Sequence, residues 1–150
     1  MANVTTLACG GSTVVVPGSK PMDIHWEIDI AEAVTAGLAT TEYVTVFSFP
    51  ADTYYKIKQI EVVEALSLGA GARIDVGDAA DDDEYVTNAT TLTAGTNLTL
   101  TSDNEKYQGS AAEIRLKVTG GTIATGKLRF VVEVGSMVRN ANATEPTYTN

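Results

Sequence analysis

Hydrophobic and polar residues alternate with a period of two along most of the chain, which is the pattern of strands with one buried and one solvated face. In the run 22–31, apolar residues at even positions alternate with the polar residues Asp23, His25, Glu27 and Asp29. The same alternation returns in 113–118 and in 127–134. We expect these last two strands to pair with each other in antiparallel fashion, because a glycine-rich turn connects them.

Residues 42–49 depart from this alternation, because apolar side chains occupy both faces. Such a strand is expected at the centre of a sheet or at an interface between subunits. The aromatic residues Tyr43, Phe47 and Phe49 are the candidate interface residues of this strand. We therefore predict that the protein self-associates.

The run 54–66 changes phase along its length. Its apolar residues lie on odd positions up to Ile57 and on even positions from Ile60. A one-residue slip of this kind is what a β-bulge produces, and the phase places the bulge near Lys58 and Gln59.

About eight such strands, with turn signals every 8–15 residues or so and no convincing helix, predict an all-β fold. We expect an antiparallel β-sandwich that resembles a jelly roll and spans residues 22–135. Residues 1–21 are predicted to form an extended N-terminal arm, and residues 136–150 a C-terminal tail. Both end segments contain few large apolar residues, and segments of this kind order on a partner.

The net charge of the chain limits the kinds of molecule that it can bind. The chain has 150 residues, a formal net charge of −9 and a sequence pI near 4.4. Phosphate backbones and anionic membranes repel such a chain, so we expect neither nucleic acid nor a membrane as partner. The single cysteine excludes an internal disulfide. The N-terminus lacks the basic region of a secretory signal, which indicates synthesis in a cytoplasm.

One stretch, 72–85 (ARIDVGDAADDDEY), concentrates acidic side chains where a strand runs into a turn. Calcium takes six to eight oxygen ligands, largely from carboxylates and backbone carbonyls. Candidate ligands here are Asp75, Asp78, Asp81 and Asp83. Their spacing lacks the EF-hand pattern, and a solvated acidic turn has the same composition. Both interpretations stay open on the sequence alone.

Catalytic patterns are weak. The one histidine, His25, has Asp23 and Glu27 two residues away on the same strand face. That arrangement suits a metal or an acid–base pair, and it equally suits a charged outer face. The sequence contains no G-x-S-x-G element for a nucleophile. We therefore expect no enzymatic activity and, apart from the calcium candidate, no cofactor.

Two stretches carry a resemblance to a known class. The acidic stretch continues as VTNATTLTAGTN, and VTGGTIATGKLRFVVEV follows later in the chain. Together they resemble small β-rich virion proteins of tailed bacteriophages, over roughly residues 54–134. The resemblance implies a non-enzymatic homo-oligomer, a trimer, that binds the major capsid protein or other virion subunits. A capsid decoration (cement) protein on the head surface is the leading hypothesis, and a tail- or fibre-associated module that binds a receptor or a carbohydrate is the alternative.

Overall fold

The computed structural model describes residues 21–33, 39–101 and 104–136. Within these ranges the chain forms eight strands and one helix of four residues. In chain order they are β1 (Met22–Asp29), α1 (Ile30–Ala33), β2 (Tyr43–Phe49), β3 (Thr53–Glu64), β4 (Arg73–Gly77), β5 (Val86–Ala89), β6 (Glu105–Gln108), β7 (Ala112–Thr119) and β8 (Lys127–Ser136). Apart from Pro21 and Ser136, the predicted arm 1–21 and tail 136–150 lie outside the described residues.

The strands form two four-stranded antiparallel sheets. The first sheet has the order β1-β8-β3-β6, and the second has the order β2-β7-β4-β5. The prediction of an all-β antiparallel fold is therefore confirmed. Six of the seven connections between consecutive strands pass from one sheet to the other, and only β4 and β5 are consecutive strands of the same sheet.

One hydrophobic core receives side chains from both sheets. Aromatic rings meet across it: Phe49 of β2 stacks on Tyr55 of β3 with ring centroids 4.6 Å apart, and Phe47 meets the edge of Phe130 at 6.1 Å. Side chains of β8 alternate between the core and the outer face. Those that face the core and are buried are Leu128, Phe130, Val132 and Val134, whereas the residues between them are not buried. Apolar area removed from water is the main stabilising term in such a core.

The predicted β-bulge in the longest strand is confirmed. The register of β3 against β8 shifts between Ile57 and Gln59, so Lys58 is the extra residue. The shift keeps both Ile57 and Ile60 in the core although they lie three positions apart. A bulge thus explains why the hydrophobic phase of the sequence changes there.

One prediction about strand neighbours is wrong, and one alternative of a second is excluded. Strands β7 and β8 do not pair with each other: β7 lies between β2 and β4, and β8 lies between β1 and β3. Alternation shows which side chains face inward but does not assign a strand to a sheet, and the turn 120–126 crosses between the sheets. For residues 42–49 the central position is excluded, because β2 is an edge strand, and the interface stays a prediction.

No helix in the described ranges is long and apolar enough to cross a bilayer.

Candidate functional site

The acidic turn, residues 77–84, folds back over the end of β4. A side chain at Gly77 would not fit, because a Cβ atom built there lies 2.0 Å from the carbonyl oxygen of Asp81 and 2.4 Å from the carbonyl carbon of Asp82. The turn therefore packs its own backbone on β4. Only glycine at this position allows the backbone of the turn to approach β4 so closely.

Asp78 organises the turn from within. Its backbone N–H donates to the Asp81 carbonyl at 2.8 Å, and its Oδ1 accepts the N–H groups of Ala80 at 2.7 Å and Asp81 at 2.9 Å. Only 7% of the residue is exposed. A short acidic side chain that accepts backbone N–H groups two and three residues ahead stabilises a turn locally.

Two lysines, one from each sheet, reach the acidic turn. Lys117 of β7 donates to a carboxylate oxygen of Asp82, and Lys106 of β6 pairs with Glu84. Lys106 also lies 3.9 Å from an Oδ2 atom of Asp78. Both lysine side chains are about three-quarters buried, at 27% and 23% exposure. The turn thus obtains counter-charges from the protein itself and is tied to both sheets.

Asp75 lies on β4, before the turn, and is used differently. It is 5% exposed, accepts the N–H of Asn88 at 2.6 Å through Oδ1, and accepts the Thr119 hydroxyl at 3.2 Å through Oδ2. Both of its oxygens therefore have partners on neighbouring strands. A buried carboxylate is tolerated when hydrogen bonds replace its hydration in this way.

Asp81 and Asp83 are neighbours at the tip of the turn. A hydrogen bond with Asp81 raises the pKa of the Asp83 carboxyl, with smaller contributions from burial and from the charges of Asp81 and Asp75. Among the described residues, no group of three or more histidine, cysteine, aspartate or glutamate side chains has the arrangement of a metal centre. Calcium binding by Asp75, Asp78, Asp81 and Asp83 stays an untested alternative to a solvated acidic turn.

The three candidate interface residues of β2 separate in space. Phe47 and Phe49 are 2% exposed and pack in the core. The register of β2 against β7 shifts between Thr45 and Phe47, so Val46 is an extra residue and both sequence parities face inward. This bulge accounts for the apolar pattern that suggested an interface. Only Tyr43 of the three lies on the outer face, with Arg115 over its ring at 4.3 Å.

The outer face of the sheet β1-β8-β3-β6 carries rows of alternating charge. In one row, Arg129 of β8 lies between Glu27 of β1 and Glu61 of β3, with N–O distances of 2.5 and 3.1 Å. In the next row, Lys127 lies between two carboxylates. Each row joins three adjacent strands, as opposite charges on one sheet face do.

His25 lies on this charged face and is exposed. The carboxylates beside it in sequence are engaged elsewhere, since Asp23 accepts from Lys58 at 3.0 Å and Glu27 accepts from Arg129. The charged-face interpretation therefore accounts for His25 and its neighbours.

One end of the same sheet displays aromatic surface. Tyr54 of β3 and Tyr107 of β6 are register partners, and their ring centroids lie 4.9 Å apart. Tyr107 is 67% exposed, whereas the Tyr54 hydroxyl donates to Glu133 at 2.9 Å. Burial and this hydrogen bond raise the pKa of Tyr54.

Sequence reasoning missed Lys106, Lys117 and Tyr107. The alternation of β7 does place Lys117 on the outer face, but its partner Asp82 is 35 residues away. Lys106 and Tyr107 lie on a four-residue strand, which is too short to show a period. A local pattern contains no signal for these long-range contacts.

No protein-family model matches the chain, and no curated protein matches it. Two solved phage capsids contain chains of similar fold. One is the cyanophage Pam1 capsid asymmetric unit, with 20% identity, a TM-score of 0.57, and coverage of 81% of this chain and 91% of that chain. The other is the capsid of Ralstonia phage GP4, with 16% identity, a TM-score of 0.58, and coverage of 86% and 92%. At these identities the similarity is one of fold, and it extends over most of both partners.

Proposed function

We propose that this chain is a structural protein of a phage virion and that it decorates the capsid as a cement protein. The observation that carries the proposal is the fold shared with chains of two phage capsids over 81% and 86% of this chain. The resemblance of the acidic stretch and of the 118–134 region to virion proteins supports the same assignment independently of the fold.

The strand order supports a jelly-roll sandwich. Eight antiparallel strands lie in two sheets of order 1-8-3-6 and 2-7-4-5, and nearly every connection changes sheet. Two interlocked Greek keys give this arrangement, and viral capsid domains are among the proteins that use it. Stacking of Phe49 on Tyr55 fits two sheets packed face to face.

A cement protein has to resist deformation, and the cross-links between strands suit that task. Arg129 and Lys127 each link β1, β8 and β3 on the outer face. Lys106 and Lys117 link the acidic turn to both sheets. Single exposed ion pairs contribute little to stability, whereas connected networks hold strands in one arrangement.

The attachment surface that we propose lies at one end of the sheet β1-β8-β3-β6. Pro21 lies beside Gly135 there, so the first and last described residues lie at the same end of the sheet. Among the described residues three large hydrophobic side chains are exposed, and two of them, Met22 at 61% and Tyr107 at 67%, lie at this end. The third, Leu68, lies elsewhere. Met22 lies on the edge strand β1 and Tyr107 on the opposite edge strand β6, so exposed apolar side chains flank the residues from which both segments continue.

In this proposal the arm 1–21 and the tail 136–150 extend from that end onto neighbouring subunits, and the protein forms a homotrimer on the head. Segments that order only on a partner can cover a wide surface. Analytical ultracentrifugation tests the oligomer: we expect three times the monomer mass of 15.8 kDa. A monomer mass at micromolar concentration would remove self-association from the proposal.

Re-addition to particles tests capsid attachment. Purified chain is mixed with particles that lack it, and bound protein is measured after sedimentation. We expect saturable binding. Tyr107→Ser should weaken it, and so should deletion of 1–21 or of 136–150, because each change removes part of the attachment surface. Leu68→Ser is the matched control and should bind as the unchanged chain does. Absence of binding to the particles would contradict the decoration role.

A further inference from the structure

A groove of about 240 Å³ opens between β5 and the extended segment 97–99. None of its lining residues belongs to β1, β3, β6 or β8, the strands that carry the proposed attachment surface. Its lining contains no ionisable side chain, although the chain as a whole is strongly acidic. The lining residues are Val86, Thr87, Asn88, Ala89, Thr90, Thr91, Asn97, Leu98 and Thr99.

A β-bulge shapes one wall of the groove. Ile74 pairs with Ala89 and Val76 with Val86, so two residues of β5 lie opposite the single residue Asp75. Asn88 adopts a left-handed backbone with φ of 51°. The buried Asp75 carboxylate holds this conformation by accepting the Asn88 N–H at 2.6 Å. β-Bulges that redirect a side chain are common beside binding sites. A residue that a buried carboxylate holds in the left-handed conformation is strained in the way that residues at functional sites often are.

The polar groups of the groove are available to a ligand. Within the described ranges, the side chains of Asn88, Thr90, Thr91 and Thr99 make no hydrogen bond. Each hydroxyl can donate one hydrogen bond and accept two, and the amide offers two donors and an acceptor. Val86 and Leu98, which are 1% and 6% exposed, form the buried floor beneath these groups. The exposed lining of the groove therefore consists mainly of mixed hydrogen-bond donors and acceptors.

We propose that this groove binds a neutral sugar residue. A pyranose ring presents hydroxyls that both donate and accept hydrogen bonds, which matches the mixed donors and acceptors of the lining. No charged group is present to compensate an ionic ligand, and the net charge of −9 repels anions. The volume is below the range of sites for drug-sized ligands, which fits one small ring.

An extended peptide fits the groove less well. A peptide added to β5 would need a regular edge strand as template. The strand has only four residues, and the left-handed Asn88 interrupts its extended backbone. Discrete hydrogen-bonding groups around a ring-sized space thus favour a sugar over a strand.

Titration of the full chain by ¹H–¹⁵N NMR tests the proposal. The probes are glucose, galactose, mannose and N-acetylglucosamine, each raised to about 100 mM because a small open groove gives only millimolar affinity. Glucuronate is the charged comparison. We expect saturable shifts from at least one neutral probe, confined to the amides of 86–91 and 97–99, with weaker binding of glucuronate. Lack of saturation by all four neutral probes would overturn the proposal.

Two variants locate the site. Asn88→Gly keeps the left-handed backbone and removes the amide, and Thr99→Val removes a hydroxyl at constant shape. Each should weaken the bound sugar about fivefold to tenfold, the loss expected for one hydrogen bond. Thr93→Val, outside the groove, is the matched control and should leave affinity unchanged. Equal affinity of Asn88→Gly, Thr99→Val and the unchanged chain would place the sugar elsewhere and contradict the assignment.

Discussion

The hydroxyl oxygens of Tyr55 and Tyr85 lie 2.6 Å apart in the core. Tyr55 belongs to β3 of one sheet, and Tyr85 donates its backbone N–H to Val76 in β4 of the other. Both residues are fully buried. This hydrogen bond between two tyrosines therefore joins the sheets at the place where the acidic turn ends.

Removing both hydroxyls of this pair should cost less than the sum of the two single removals. Tyr55→Phe or Tyr85→Phe leaves a buried hydroxyl without its partner, and we expect a loss of about 1–3 kcal/mol of unfolding free energy. The double variant should lose clearly less than the sum of the single losses. Urea unfolding of the four proteins measures this coupling. Additive losses would show that the two hydroxyls do not stabilise each other, and Tyr107→Phe at the exposed end should change stability by less than about 0.5 kcal/mol.

The same two tyrosines should make the protein less stable at alkaline pH. Burial raises the pKa of Tyr55 to about 12 and also raises the pKa of Tyr85. An unfolded tyrosine ionises near its model value of 10.0, so the stability from this pair is fully present below pH 10 and is lost as the pH rises towards 12. Thermal melts from pH 8 to about 12 should show this decline. The double Phe variant should show a smaller decline, and an equal decline would assign it to other groups.

Gly77→Ala should destabilise the protein by about 3 kcal/mol or more, because its methyl group would overlap the backbone of the acidic turn. Gly109→Ala is the matched control, since a Cβ atom at that position meets nothing within 4 Å. Urea denaturation gives both values. Equal stability of the two variants would mean that the turn does not pack on β4 as described.

Strand existence could be predicted from the sequence because burial of one face imposes alternation. The strand β1 and the phase change near Lys58 could both be predicted, because each depends only on which side chains of a single strand face the core. The all-β class follows from the same pattern.

Sheet membership could not be predicted in this way. The inward faces of β7 and β8 are equally apolar, so their sequences do not show that they belong to different sheets. For β2, a bulge at Val46 produced the two-sided apolar pattern that also indicates a central strand or an interface. Two physical causes with one sequence pattern cannot be separated without the register.

The candidate site was predictable in part. The acidic residues mark a turn, and Gly77 marks its start, because both are local features. The partners of these acids come from distant strands: Lys106 follows Glu84 by 22 positions, and Lys117 follows Asp82 by 35. Charge pairing between strands depends on topology, which the sequence pattern left undetermined.

Calcium should leave the melting temperature unchanged. The carboxylates of Asp75 and Asp78 accept hydrogen bonds from the chain, and those of Asp82 and Glu84 pair with lysines. Melting curves in calcium and in chelator therefore should coincide. A calcium site would instead add about 2.7 kcal/mol at a hundredfold excess over Kd and raise the melting temperature by several degrees. That rise, and its loss in Asp81→Asn, would establish the metal site.

The copy number of the chain in purified particles of the virus that encodes it tests the decoration role most directly. Quantitative mass spectrometry measures this number against the major capsid protein. A subunit that covers the head surface should be present in a copy number of the same order as the capsid protein, reaching hundreds per particle. A few copies per particle would assign the chain to the tail or a fibre, and its absence from particles would contradict a virion role.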